Sequence, residues 1–138
     1  MKFRGDFSFL SNFAESPIEF RGFMFPTAEH AYQAAKAVLE EDFHSIRTAR
    51  SPVVAKRLGQ KIQIRNDWKK VKIKVMREIL EIKFSIPELE RKLIQIKGPI
   101  IEENDWGDTF WGVCNGVGQN NIGKILMLIR NEKRFFNI

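Results

Sequence analysis

Short alternating stretches of apolar and polar residues near the N-terminus give way to helical spacing farther along the chain. Residues 18–25 predict two short strands joined at Arg21-Gly22, a dipeptide suited to a two-residue hairpin turn. Thr27 is then placed to cap an alanine-rich helix over residues 28–39. This part of the chain therefore predicts a hairpin followed by a helix.

Start and stop signals predict two helices in the middle of the chain. Ser51 and Pro52 combine a cap with a proline at the first helical position, and Gly59 ends that short helix. A longer helix opens at Asn66-Asp67, and its apolar stripe has five members: Trp68, Val71, Val75, Ile79 and Ile82.

The last third of the chain combines helices with an irregular segment. Ser85 and Glu88 have the spacing of a capping box and start a helix that stops at Gly98. Glycines, carboxylates and tryptophans predict a loop over residues 101–121, and helical spacing resumes over residues 122–133. The whole pattern predicts a mainly α-helical α+β fold with a small β element and a loop-rich active-site face.

The length of the chain suits one hydrophobic core, because 138 residues that are 43% hydrophobic bury about two thirds of their unfolded surface. We expect one domain over residues 1–138. No apolar run approaches the roughly 18 residues of a membrane span, so we expect no membrane partner. Cys114 is the only cysteine and His30 and His44 are the only histidines, so we expect no disulfide, metal or other cofactor, and a cytoplasmic location.

The net charge of +6 favours a polyanionic ligand, meaning phosphate groups or nucleic acid. This bias is general and excludes little. The lysines of residues 69–74 are most simply a solvated helix face, although a basic nucleic-acid-binding protein stays open as a third hypothesis.

Four polar residues share one face of the first predicted helix. Glu29, Gln33 and Lys36 fall within a narrow arc at about 100° per residue, with Tyr32 beside them. Spacing alone favours an ordinary solvated face. The alternative is a catalytic strip, because a carboxylate and an amine stacked on a helix perturb each other's pKa.

Residues 104–112 place Asp105 and Asp108 beside Trp106 and Trp111 in the predicted loop. Aromatic rings can stack a base while carboxylates bind ribose hydroxyls. Loop tryptophans also anchor connections to a core, and we weigh the two interpretations equally.

Residues 118–124 match the first part of a phosphate-loop motif, but Ile125 stands where a Ser or Thr must bind magnesium. We therefore reject ATP or GTP hydrolysis. A weaker expectation survives, in which the turn entering the last helix presents backbone N–H groups to a phosphate.

Four segments together resemble the NADAR family, also called YbiA-like N-glycosidases. They are Phe9-Leu-Ser-Asn-Phe13, Pro26-Thr-Ala-Glu-His-Ala-Tyr-Gln-Ala-Ala-Lys36, Arg65-Asn-Asp-Trp-Lys-Lys-Val-Lys-Ile-Lys-Val-Met76, and Asp108-Thr-Phe-Trp-Gly112 continuing to residues 121–130. Their order and spacing span nearly the whole chain. Any one segment could occur by accident, whereas four in series are specific.

The resemblance implies a YbiA-like fold and hydrolysis of an N-glycoside of phosphorylated ribose. Such enzymes act on riboflavin-pathway ribosylamine phosphates or remove ADP-ribose from guanine in nucleic acid. By motif position, Glu29 would be the catalytic acid, Lys36 a candidate nucleophile, and Asp108 a further catalytic residue. The implied substrate-binding residues are Asn12, Tyr32, Gln33, Trp68, Trp111, Gly112 and Asn121.

Two mechanisms stay open for this chemistry. In one, a neutral Lys36 attacks the anomeric carbon and forms a Schiff base. In the other, water attacks directly with assistance from Glu29. The alternative function is a non-catalytic module that binds ADP-ribose or NAD in the same pocket.

Overall fold

The computed structural model describes residues 1–136 and consists mainly of helices. A 3₁₀ helix at Gly5–Leu10 precedes four short strands, β1 (Ile18–Phe20), β2 (Phe23–Phe25), β3 (Glu103–Asn104) and β4 (Val113–Cys114). The helices are α1 (Ala28–Ala35), α2 (Glu40–Arg47), α3 (Pro52–Gly59), α4 (Trp68–Lys83), α5 (Pro87–Ile94) and α6 (Asn121–Phe136). The predicted helical α+β class is confirmed.

Contacts divide the chain into two compact units, each described by itself below. One comprises residues 12–83, and the other comprises residues 1–11 together with the chain from Phe84 onward. The assignment of residues 1–138 to one domain stays a prediction.

The hairpin at the start of the first unit is confirmed. Strands β1 and β2 pair antiparallel with Phe20 opposite Phe23. Arg21 and Gly22 both have positive φ, 52° and 89°, as the tight two-residue turn requires. Buried Phe25 from β2 lies edge-on to buried Phe20, 5.8 Å between ring centroids, so the hairpin contributes to the core.

Helix α1 lies at the centre of this unit and contacts α2, α3 and α4. It ends at Ala35, so the prediction of a helix to residue 39 is wrong by four residues. The chain leaves the helix because it pairs with a later segment: Arg65 N–H donates to the Lys36 carbonyl at 2.9 Å, and Ala37 bridges Ile64.

Helix α4 confirms only part of its predicted apolar stripe. Trp68, Val75 and Ile79 are buried, whereas Val71 and Ile82 are half-buried. The buried face also contains Met76, Leu80 and Lys83, because the straight helix drifts from the stripe chosen on the sequence.

Helix α5 packs against α6 in the second unit. Ile86, not Ser85, is its N-cap, so the predicted capping box is wrong there. The helix ends at Ile94 instead of continuing to Gly98. Arginines of α6 bind the carbonyls at and just after the end of α5. Arg134 donates to Ile94 O at 2.7 Å, and Arg130 donates to Ile96 O at 3.0 Å.

The segment between α5 and α6 is largely irregular, as predicted, with β3 and β4 forming a short parallel pair. Asn120 ties it down, since its Oδ1 accepts from Glu102 N–H at 3.0 Å and its Nδ2 donates to Ile100 O at 3.0 Å. Asn120 has φ 54°, which asparagine tolerates better than most residues.

Candidate active site

Helix α1 begins with a buried hydrogen-bond network. Thr27 is the N-cap, as predicted, and its Oγ1 accepts from His30 N–H at 3.1 Å. The His30 ring lies 2.7 Å from the same hydroxyl through Nδ1, and its Nε2 donates to Ala49 O at 2.9 Å. His30 therefore has a structural role that fixes the start of the helix.

The polar face of α1 is not solvated, so the simpler interpretation of its spacing is wrong. Every residue of the helix is buried, including Glu29 at 6% and Gln33 at 4% exposure. The reason is that α2, α3 and α4 surround the helix. A buried carboxylate and amide require specific partners, so this face is a defined polar site.

Glu29 and Gln33 contact each other one turn apart. Gln33 Nε2 donates to Glu29 Oε2 at 3.4 Å. The other amide atom, Gln33 Oε1, is buried and has no hydrogen-bond partner within residues 1–136. It lies against Gly59 of α3, where an added Cβ would be 2.0 Å from it.

Asn12 lies at the same end of the helix. Its backbone carbonyl accepts from Glu29 N–H at 3.0 Å, and its side-chain Nδ2 contacts Met76 Sδ at 3.4 Å. The side-chain Oδ1 is buried, and nothing in the described part of the chain donates to it. This oxygen is a buried acceptor whose hydrogen bond is unsatisfied within residues 1–136.

Lys36 is the C-cap of α1 and is half-buried. Its Nζ lies 5.5 Å from the centre of the Tyr32 ring, which in turn lies 5.2 Å from the Trp68 ring. The structure thus brings six predicted residues into one unit: Asn12, Glu29, Tyr32, Gln33, Lys36 and Trp68.

The pKa of Lys36 is lowered, and burial is the main cause. The Glu29 carboxylate acts in the opposite direction, and the ammonium groups of Lys56 and Lys72 lower the pKa further. Lys56 belongs to α3 and was not identified from the sequence, and Lys72 of α4 was predicted only as part of a solvated lysine face or a nucleic-acid contact. Their effect comes from helix packing, for which local spacing gives no signal.

Asp108 lies in the other unit, in the loop between β3 and β4. Its Oδ1 accepts from Phe110 N–H at 3.1 Å and Trp111 N–H at 2.9 Å, which is the pattern of an aspartate-capped turn. Asn104 supports the turn through bonds to Asp108 O at 2.8 Å and Asp108 N–H at 3.1 Å. One carboxylate oxygen therefore shapes the loop, and the second oxygen remains for other chemistry.

The other three predicted residues of this unit surround that turn. The ring of Trp111 is half-buried, 4.8 Å from Phe110, whereas Trp106 is 64% exposed and anchors nothing. Gly112 has no room for a side chain, because a Cβ would be 2.5 Å from Glu102 O. Asn121 Nδ2 donates to Phe110 O at 2.9 Å, so its amide fastens the loop.

The expectation that residues 118–124 present free N–H groups to a phosphate is wrong. The N–H groups of residues 119–122 donate to carbonyls of residues 109–112, at 2.8 Å for Gln119 to Thr109 and 3.0 Å for Ile122 to Trp111. These donors are already used inside the protein. The turn connects residues 119–122 to residues 109–112 through backbone hydrogen bonds.

Residues 1–136 contain neither a metal-binding cluster of side chains nor a membrane-spanning helix. No cluster of three or more His, Cys, Asp and Glu side chains is arranged to hold a metal ion. No described helix is both long and apolar enough to cross a membrane. The prediction of a metal-free site remains to be tested.

Comparison with known proteins decides the family, because the NADAR domain model matches residues 2–134. The chain belongs to the NADAR family. One NADAR relative is N-glycosidase YbiA of Escherichia coli strain K12, 37% identical over 131 residues that cover 92% of this chain and 82% of the relative. The NMR structure of the E. coli protein YbiA matches with a TM-score of 0.88 at 34% identity, covering 99% of this chain and 84% of that one.

A second relative of this NADAR chain has a different name. The chloroplastic riboflavin biosynthesis protein PYRR of Zea mays is 34% identical over 145 residues. The match covers 91% of this chain but only 23% of the maize protein. The matched region therefore makes up less than a quarter of the maize protein.

Proposed function

We propose that this chain is an N-glycosidase that hydrolyses the C–N bond between a base or amine and a phosphorylated ribose. The observation that carries the proposal is the buried Glu29 carboxylate on the same helix as half-buried Lys36, whose pKa is lowered by burial and whose charge interacts with Glu29, in a NADAR chain. The names of the E. coli and maize relatives support a C–N glycosidic bond and a riboflavin-pathway ribosylamine phosphate as one substrate. ADP-ribose attached to guanine is the other.

Lys36 is proposed as the nucleophile because burial and neighbouring cations favour its neutral amine, the form that can attack carbon. Glu29 is proposed as the group that moves the proton. The amide of Gln33 donates to its carboxylate at 3.4 Å. In the proposed steps Glu29 accepts a proton from the amine and then gives it to the leaving base.

The proposed steps balance as follows. Lys36 Nζ forms a bond to the anomeric carbon while the bond to the base breaks, and the base leaves with the electron pair. The proton lost by the alkylated amine passes through Glu29 to the leaving base. The C–O bond of the ring then opens as the Lys36 nitrogen forms an imine, the ring oxygen takes up a proton, and water hydrolyses the imine to release the sugar and the amine.

A phosphate on the ribose suits the charges near Lys36. Lys56 and Lys72 lie close enough for their charges to lower its pKa, and they come from two different helices. A phosphate monoester or pyrophosphate would gain charge-assisted bonds there. Replacing either lysine by Met should raise KM for a phosphorylated substrate more than for its dephosphorylated analogue.

The first experiment compares substrates. The protein is incubated separately with an ADP-ribosylated guanosine, NAD and a riboflavin-pathway ribosylamine phosphate, and the released base and sugar are quantified. We expect turnover of a phosphorylated N-glycoside. Tight binding of ADP-ribose or NAD without turnover of any of the three would instead support a non-catalytic module.

A trapping experiment tests the role of Lys36. Borohydride added during turnover should reduce the imine, inactivate the enzyme and leave a sugar adduct on the peptide that contains Lys36. Lys36→Arg should lose most activity, because a guanidinium stays protonated and cannot attack. Lys74→Arg, an exposed change on α4, is the matched control. An active Lys36→Arg variant without an adduct would shift the mechanism to direct attack by water.

A further inference from the structure

Gln33 and Gly59 come from different helices and meet in the core of the unit formed by residues 12–83. Gln33 lies on α1 and is 4% exposed, and buried Gly59 is the last residue of α3. The amide of Gln33 bridges two neighbours. Its nitrogen donates to Glu29 Oε2 at 3.4 Å, and its oxygen lies over Gly59.

The contact with Gly59 leaves no room for a Cβ while the Gln33 amide stays where it is. An added Cβ would lie 2.0 Å from Gln33 Oε1, 2.9 Å from Cδ and 3.2 Å from Cβ. The backbone of Gly59 is helical and needs no positive φ, so the glycine is not required for a turn. The absence of a side chain at this position therefore serves the placement of the Gln33 amide.

The amide has an arrangement that packing alone does not explain. Gln33 Oε1 is buried without a hydrogen-bond partner among the described residues, which destabilises the fold. A methionine or leucine would fill similar space without this cost. What the amide provides is its donor, which is directed at the carboxylate of Glu29.

We propose that Gln33 is a positioning residue, which orients the Glu29 carboxylate through its amide nitrogen and is itself held in place by the bare backbone of Gly59. The family resemblance implied that Gln33 binds substrate. In the structure, its amide contacts Glu29 and Gly59 of the protein itself. The inference rests on the proposed function for its kinetic consequences. Its structural consequence, the titration of Glu29, does not depend on that function.

The charged groups near Glu29 stay constant in the test. Lys36 is the cation whose charge interacts with Glu29, and Lys56 of α3 and Lys72 of α4 act on Lys36. None of them is changed. Gln33→Met keeps the size of the side chain and removes the donor, Gln33→Glu keeps the shape and replaces the donor by a second carboxylate, and Gly59→Ala pushes the amide away.

Gly59→Ala is the decisive variant, because stability and activity should move in different directions. The Cβ meets the flexible end of Gln33, so the side chain can shift while the fold is retained. Alanine is favoured over glycine in a helix, so the melting temperature should not fall. We expect kcat to drop roughly 10- to 100-fold with KM changed less than about 2-fold.

A double variant and a control complete the kinetic test. In a Gln33→Ala background, Gly59→Ala should cause no further loss, because the amide that it displaces is gone. Val53→Ala, at an exposed position of α3, should leave kcat unchanged. Gln33→Glu should move the acidic limb of the rate profile to higher pH, since the two carboxylates repel each other's charge.

The second measurement is the carbon NMR titration of the Glu29 carboxyl group in protein without substrate. Gln33→Met and Gly59→Ala should both move its midpoint to higher pH, and Val53→Ala should not. An unchanged midpoint together with wild-type kcat in Gly59→Ala would overturn the inference. If the wild-type protein turns over none of the substrates but the midpoints move, the positioning role stands and the proposed function fails.

Discussion

At the scale of single residues, hydrogen-bond partners separate a buried polar side chain that builds the structure from one that is proposed to carry chemistry. Glu29 and His30 are neighbours on α1 and both are buried. The ring of His30 is committed to Thr27 and Ala49, so it has no nitrogen left for a substrate. Histidine is a common catalytic base, but here its contacts assign it to the helix start.

Asp108 combines both kinds of role, and two substitutions separate them. Asp108→Asn keeps an oxygen that accepts from Phe110 and Trp111 N–H, whereas Asp108→Ala removes it. We expect the Asn variant to melt like the wild type but to lose roughly 10-fold or more in kcat, because only the charge is gone. Asp108→Ala should also melt at a lower temperature. Full activity in Asp108→Asn would assign the carboxylate to the loop alone.

The sequence predicted which polar residues share one face of α1, but not that this face is buried. Helical spacing placed Glu29, Gln33 and Lys36 on one face, and the structure keeps them together. Spacing could not show that this face is buried, because burial depends on helices that arrive from later in the chain. Neither Lys56 nor the contact between Gly59 and Gln33 could be predicted, for the same reason.

At the scale of elements, side-chain caps made the starts of α1 and α3 predictable from the sequence. Thr27 and Ser51 cap α1 and α3 through their hydroxyls, as predicted. Helix α2 was missed, and its N-cap is Leu39, which has no capping group. Helix α5 begins after Ile86, and its true end depends on arginines more than 30 residues away, a contact that no local pattern reveals.

The two predicted caps should differ in their contribution to stability. Ser51→Ala removes one bond, from Val54 N–H at 3.2 Å, and should cost about 1 kcal/mol of the free energy of unfolding. Thr27→Ala also leaves the buried His30 ring without its hydroxyl partner, so we expect a loss of about 2–3 kcal/mol. Urea denaturation of both variants measures the difference. Equal losses would show that the His30 contact contributes nothing.

At the scale of the whole molecule, the sequence predicted the family and the helical class more completely than the assembled site. Four motifs in series indicated a NADAR chain, and the domain model covers residues 2–134. Six of the predicted site residues lie in one unit and four in the other. Which side chains meet depends on packing over long distances, for which a single sequence has no direct signal.

Lys83 makes the stability of the protein depend on pH. It is fully buried at the end of α4, and burial lowers its pKa to about 7. Above that pH the unfolded chain binds a proton that the folded chain does not, so the free energy of unfolding rises with pH until Lys83 of the unfolded chain also loses its proton. Below about pH 7, Lys83 is protonated in the folded chain as well, and burial of its ammonium group lowers the free energy of unfolding.

Denaturation at several pH values tests this linkage. Between about pH 7 and about pH 9, wild type should gain roughly 2 kcal/mol relative to Lys83→Met, which has no proton to lose. Lys74→Met, which removes an exposed lysine of the same helix, should follow the wild type. Parallel curves for wild type and Lys83→Met would show that Lys83 keeps an ordinary pKa.

Chelation tests the expectation that the reaction needs no metal. In the proposed mechanism Lys36 is the nucleophile and Glu29 carries the proton, with no Lewis acid, so activity should survive prolonged treatment with EDTA. A loss that one divalent cation restores would contradict the prediction. Asp105 and Glu103 would then be the first residues to replace.

The four hydrogen bonds between residues 119–122 and residues 109–112 also matter for anyone who wishes to alter this protein. Glycine and asparagine make the segment look like a convenient place for an affinity tag or a fused domain. Extra residues there would separate the donors from their carbonyls and release the turn that Asp108 caps. Residues 119–122 hold two parts of this unit together through hydrogen bonds, so insertions and fusions should be placed elsewhere.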